Sequence, residues 1–328
     1  MEKNLLVGNG INIQFGGADT YSNSAIMKRV VKNIKVGKYI ALTEDSLTPE
    51  EQLDILNGLV KIIDNIRAGG YTKYADGLFM QMELNRIKRT YPEKSTIESV
   101  CLEDYFLAFE NFNNSFKEKD EEEINEFYRK VTFDFLQRIF VDSIYNDGKI
   151  NDVYKKAFPG LQKYFDGFSN IFTTNYDYNI ESVVGKTKSV CHLHGEFSRL
   201  SPRYDVNSKY YKTHQAVCDE LIAKKVSGMN HVYSDAIMSW SWLDKYGELI
   251  KADTKIKENI FKSIGGQVEI LGLSPNNDEH LFFLLNQNSN VKSIVYYYLN
   301  DKDIQEVPHH IKKPITFKKV SKLWNSMR

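Results

Sequence analysis

Four short, largely apolar runs spread along this chain each stop in glycine or small polar residues. Residues 5–7 stop in Gly8-Asn9-Gly10-Ile11-Asn12, and residues 168–174 stop in Asn175-Tyr176-Asp177. Residues 188–193 stop in His194-Gly195, and residues 267–272 stop in Leu273-Ser274. Runs of this kind suit strands buried in an open parallel sheet, and such sheets place their ligands at the carboxyl ends of the strands. The pattern predicts an α/β fold of the Rossmann-like, doubly wound type.

The residues at those ends have matching chemistry. The Asn175 amide both donates and accepts, and a histidine near its ordinary pKa can take a proton from a hydroxyl. Closely spaced glycines after a first strand are a common way to bring backbone N–H groups to a phosphate or ribose, and a tight strand–helix turn uses the same spelling. Asp177 is placed to orient Asn175, to contact a ligand, or to cap the helix that follows. His192 and His194, two apart, share a strand face; His194 sits at the end, and His192 reads as a buried histidine with a polar partner.

Between residues 21 and 167 the periodicity turns helical. A first helix is expected over 25–35. Thr48-Pro49-Glu50-Glu51 reads as a capped start, and Gly69-Gly70 as the stop of that second helix. Further helices are expected over 96–112 and from about 119 to 147. So many helices between the first and second strands predict a helical subdomain (21–167) inserted into a sheet domain made of 1–20 and 168–328. Beyond 198 a polar, Tyr- and Lys-rich stretch precedes helices over 234–250 and 255–264. A strand over 291–299 ends in Asn300, and 315–317 with a short helix follows.

Composition narrows the function classes. Lys plus Arg and Asp plus Glu number 43 each in 328 residues, so no overall charge draws the chain to nucleic acid or an anionic membrane. The 3 cysteines include no CxxC pair, which argues against a zinc ribbon or a disulfide framework, so no metal and a reducing cytoplasm are expected. No signal peptide or membrane span is read. The aromatics Tyr105, Phe106, Phe109, Phe112, Phe127, Phe133 and Phe140 exceed what a thin helical layer needs, which predicts a homo-oligomer contact there.

Thr173-Thr174-Asn175-Tyr176-Asp177 and His194-Gly195 resemble the TxNxD and HG signatures of the sirtuin-like superfamily, and more closely its bacterial defence-type members than its protein deacylases. Gly8-Asn9-Gly10-Ile11-Asn12 stands where that family has GAGxS, with Asn9 for Ala and Asn12 for Ser. Gly272-Leu273-Ser274 resembles its third nucleotide segment, followed by an acid, Asp278; Asn300 stands at a strand end that holds ribose in deacylase relatives. The resemblance implies NAD as substrate, bound by Gly8, Asn9, Gly10, Asn12, Thr174, Gly195, Gly272, Ser274, Asp278 and Asn300. It implies catalysis by Asn175, His194 and Asp177: hydrolysis to ADP-ribose and nicotinamide by an anti-phage effector that depletes NAD. A second defence protein or a phage trigger is the implied partner. A non-catalytic NAD or ADP-ribose module, an abortive-infection protein and a deacylase are the alternatives. The deacylase lacks its zinc-binding cysteines here.

Overall fold

The structure, a computed structural model, describes residues 2–39, 47–72, 77–116, 132, 135–136, 139–140, 142–193, 259–276 and 278–328. Its strands are β1 (Lys3–Val7), β2 (Asn170–Thr173), β3 (Val190–His192), β4 (Gly266–Leu271), β5 (Val291–Tyr298) and β6 (Ile315–Lys319). They form one parallel sheet in the order β3-β2-β1-β4-β5-β6. The order reverses between β1 and β4, as in a Rossmann-like doubly wound sheet.

The helices are α1 (Gly10–Gly16), α2 (Ala18–Tyr21), α3 (Asn23–Lys35), α4 (Pro49–Arg67), α5 (Gly77–Thr90), α6 (Leu102–Phe116), α7 (Leu161–Asp166), α8 (Asn179–Val184), α9 (Glu279–Gln287), α10 (Asp301–His310) and α11 (Val320–Met327). β1 is central because Leu5, Leu6 and Val7 have no polar atom to leave in water, and all three are fully buried. Their alternation feeds two apolar layers. Leu6 joins Phe172, Ile270 and Ile294 beneath Phe282 and Leu285 of α9 and Val307 of α10. Leu5 and Val7 join Ile171, Leu271 and Val295 against Phe165 of α7, Ile180 of α8 and Trp324 of α11.

The helices between β1 and β2 begin where local chemistry supplies caps. Thr48 accepts the Glu51 N–H at 3.3 Å and Glu51 accepts the Thr48 N–H at 2.8 Å, the reciprocal box expected at the start of α4. α3 starts two residues before the expected point because Ser22 accepts the Ala25 N–H and serves as its cap. α6 starts at Leu102 rather than near 96: the Ser99 hydroxyl accepts the Thr96 N–H and donates to the Thr96 carbonyl, closing a local turn. Asn23 then accepts the Leu102 N–H at 3.1 Å.

These helices share one apolar cluster containing Met27, Val30, Ile34, Leu56, Ile63, Ile87, Tyr105, Phe106, Phe109 and Phe140. Those four aromatics are therefore spent inside the helical layer rather than on a contact surface. Phe112 is 39% exposed, and Phe127 and Phe133 lie outside the described residues. Within the same layer Arg86 is fully buried between Glu83, at 2.7 Å, and Asp104, which also accepts the Tyr91 hydroxyl. Among the described residues no helix is long and apolar enough to cross a membrane, and no group of three His, Cys, Asp or Glu could hold a metal ion.

Candidate functional site

A cavity of about 550 Å³ opens at the carboxyl ends of β1, β2, β4 and β5, across the point where the strand order reverses. Sites for small ligands and cofactors run from about 300 to 1,000 Å³, and this crevice is where such sheets bind them. One side reaches toward the helical layer at Tyr21, Ile26, Cys101, Leu102, Ile144 and Ile150; the other reaches Leu299, Val320 and Trp324.

The glycines at the crossover have a structural task. The Gly8 N–H donates to the Leu271 carbonyl and the Gly10 N–H to the Gly272 carbonyl, both at 2.9 Å. A Cβ on Gly10 would stand 2.5 Å from the Gly272 Cα, and one on Gly8 would stand 2.4 Å from Leu273 Cδ1. Gly272 itself has φ +71°. The close approach fastens the β1 turn to the β4 turn, and it spends the two N–H groups expected to reach a phosphate. Gly10 and Gly272 line the cavity, whereas Gly8 lies outside its lining.

The stretch after β2 turns on its own side chains. Thr173 Oγ1 accepts the Asn175 N–H at 3.0 Å, and Asp177 Oδ1 accepts the Asn179 N–H at 2.9 Å. These two side-chain turns carry the chain from the sheet into α8. Asp177 Oδ2 also accepts the Asn12 amide at 2.6 Å, and the Asn179 amide donates to the same carboxylate, to Asn12 Oδ1 and to the Ile150 carbonyl. Asp177 is 1% exposed, and burial raises its pKa above the ordinary carboxylate value while the Asn12 and Asn179 hydrogen bonds pull it back. Of the three roles open to Asp177, the contacts assign it to the turn and to Asn12.

Asn175 is 6% exposed and lines the cavity, and among the described residues its Nδ2 has no hydrogen-bond partner. A buried donor left unmade costs about 1–3 kcal/mol, so such a group stands out in a folded protein. Its backbone is tied down on both sides, the N–H to Thr173 and the carbonyl by His192 Nδ1 at 2.7 Å. His192 Nε2 lies 2.6 Å from Glu181 Oε1, which provides the polar partner expected for a buried histidine.

Asn9, Asn12, Thr174, Ser274 and Asp278 all line the cavity with Asn175 and Asp177. Asn9 donates to the Tyr21 carbonyl at 2.7 Å, and Asn12 is held by Asp177. Asn300 is not brought in. It caps α10, accepting the Lys302 and Asp303 N–H groups, while its neighbours Leu299 and Asp303 line the cavity. His194 and Gly195 lie outside the described residues. Asn179 and Glu181 escaped the sequence reading, although an Asn two residues after Asp177 spells an Asx turn.

The described lining holds the carboxylates Glu103, Asp177, Asp278 and Asp303 and no Lys or Arg, which favours positive charge developing in a ligand. Burial, with Asp104 and Glu103 nearby, pushes the Cys101 thiol up to about 12. The thiol is therefore protonated at neutral pH and is no nucleophile. No family model, curated protein or solved structure matches this chain.

Proposed function

We propose that the chain hydrolyses NAD to ADP-ribose and nicotinamide at the cavity where the strand order reverses. The observation that carries this reading is Asn175, which lines that cavity at the end of β2 and whose buried amide nitrogen has no hydrogen-bond partner among the described residues. Nicotinamide departs as a neutral base from a cationic pyridinium, so a strong general acid is not needed. The site must orient the ribose, favour a cationic transition state and hold a water. Asn175 would donate to the water or to the ribose beside the nicotinamide, and the lining carboxylates would favour the positive charge. His194, by its resemblance to the family position, would take a proton from a ribose hydroxyl. No metal enters this scheme.

The resemblance to defence-type sirtuin-like proteins extends the proposal to a cytoplasmic anti-phage effector that depletes NAD, acting as a homo-oligomer under a second protein or a phage trigger. One observation favours a second reading, a module that binds NAD or ADP-ribose without turnover. Both Asp177 oxygens already accept hydrogen bonds from Asn12 and Asn179, so this reading gives the carboxylate structural work in place of a catalytic role. Purified protein incubated with NAD, with products separated by chromatography, decides between them. Equimolar nicotinamide and ADP-ribose support hydrolysis; binding without products supports the second reading; neither product nor binding refutes both.

A further inference from the structure

His192 and Glu181 stand behind the cavity rather than in its lining, yet they grip the residue that matters most there. The Asn175 carbonyl can only accept, so the hydrogen between it and His192 Nδ1, 2.7 Å away, belongs to the imidazole. That fixes the ring's orientation and leaves Nε2 facing Glu181 Oε1 at 2.6 Å. A separation this short requires a proton between the two, so the pair carries it as imidazolium and carboxylate or as imidazole and carboxylic acid. Either way Nδ1 keeps its hydrogen, and the Tyr178 ring, 5.6 Å from the imidazole centroid, packs beside it.

The consequence falls on Asn175. Its N–H is held by Thr173 and its carbonyl by His192, so both backbone handles on either side of its Cα are fixed by side chains. What remains without a partner among the described residues is the side-chain amide nitrogen of this cavity-lining residue. We propose that His192, itself oriented by Glu181, is a positioning residue that sets the aim of the Asn175 amide, acting through the Asn175 backbone carbonyl without touching the ligand. A misplacement on the order of 1 Å can cost about 100-fold in rate, which gives such a residue a large effect at one remove. The inference rests on the NAD-cleavage reading for its turnover arm alone.

Asparagine places its amide nitrogen near the position of a histidine Nδ1, whereas glutamine reaches toward Nε2. His192→Asn can therefore still donate to the Asn175 carbonyl, while His192→Gln and His192→Ala cannot. Thermal midpoint, NAD turnover and hydrogen exchange of the backbone amides of residues 173–177 are compared across the three variants and the natural chain. His192→Asn is expected to keep exchange near the natural rate and kcat within about fivefold, whereas Gln and Ala lose about 100-fold in kcat with KM little changed. In those two variants amides 173–177 should exchange about tenfold faster.

If His192→Ala does not fold, the Asn and Gln variants carry the comparison. Indistinguishable Asn and Gln variants, natural exchange and kcat in the Ala variant, or an Asn variant that fails to fold would overturn the proposal. Should the natural chain not cleave NAD at all, that reading falls by itself, and the exchange measurement still decides whether His192 positions Asn175.

Discussion

Truncating Asn175 to alanine should leave the free protein as stable as before, or slightly more stable, while removing its response to ligand. Among the described residues the buried Nδ2 has no hydrogen-bond partner, and relieving an unmade donor returns about 1–3 kcal/mol. Against this stands the added void. An asparagine exceeds an alanine by roughly 25 Å³, which at about 24 cal/mol per Å³ costs about 0.6 kcal/mol. Because Asn175 already lines the cavity, this figure is an upper bound. The balance is about 0.4–2.4 kcal/mol in favour of the variant, or a rise of about 1–5 °C in the midpoint at roughly 2 °C per kcal/mol.

Thermal unfolding with and without ADP-ribose, which survives the reaction, supplies the assay. Ligand at 100 times its Kd stabilises a native state by about 2.7 kcal/mol. The natural chain should show that shift and Asn175→Ala little of it, together with the loss of most NAD cleavage. A variant destabilised by more than about 2 kcal/mol would mean that the amide is satisfied in the free protein, a loss of the size expected when a buried hydrogen bond is broken. A full ligand shift in the variant would refute its role in binding.

Asp177 has a pKa raised from 3.8, chiefly by burial, so the folded state binds that proton more tightly than the unfolded chain. Its contribution to stability is complete below 3.8 and is lost as pH rises through the raised folded value. Asp177→Asn should remove that fall, as seen in chemical denaturation across pH 3 to 7, while leaving one of the Asn12 or Asn179 donors unmet at a cost of about 1–3 kcal/mol. Gly10→Ala should destabilise by about 3 kcal/mol, the upper end for overpacking, because its Cβ would meet backbone at Gly272; denaturant midpoints measured without ligand test this. Arg86→Ala leaves Glu83 and Asp104 buried and uncompensated, so a loss of about 3–5 kcal/mol is expected in the same assay.

The sheet was legible because its signals are local. Leu5–Val7 and the pair Ile171 and Phe172 are apolar on both faces, and each strand ends where the side chains turn polar. The capped start of α4 was equally plain, since Thr48, Pro49 and Glu51 act within one turn. α5 was not read, because two of its buried positions are Glu83 and Arg86, which look like a solvent face until Asp104 arrives from α6. α9 and α10 were not read either. Their N-caps, Asp278 and Asn300, are residues that the family resemblance places at the ligand, and at Asn300 the cap is what the side chain supplies.

The same ambiguity runs through the site. Asparagine and aspartate suit a ligand and a turn for one physical reason: a short side chain can satisfy nearby backbone N–H groups. Near a crossover, where three chain segments leave the sheet together, the turns are filled first. Asn12 from α1, Asp177 from the end of β2 and Asn179 from α8 satisfy one another and the Ile150 carbonyl. Gly8 and Gly10 give their N–H groups to β4. Each of these contacts ties a different segment to the crossover, and none needs a ligand to be complete. Asn175 differs because Thr173 and His192 hold its backbone from outside, so its side chain is not needed for the turn. A polar side chain relieved of structural work, on a residue that lines the cavity, is one that a ligand can complete.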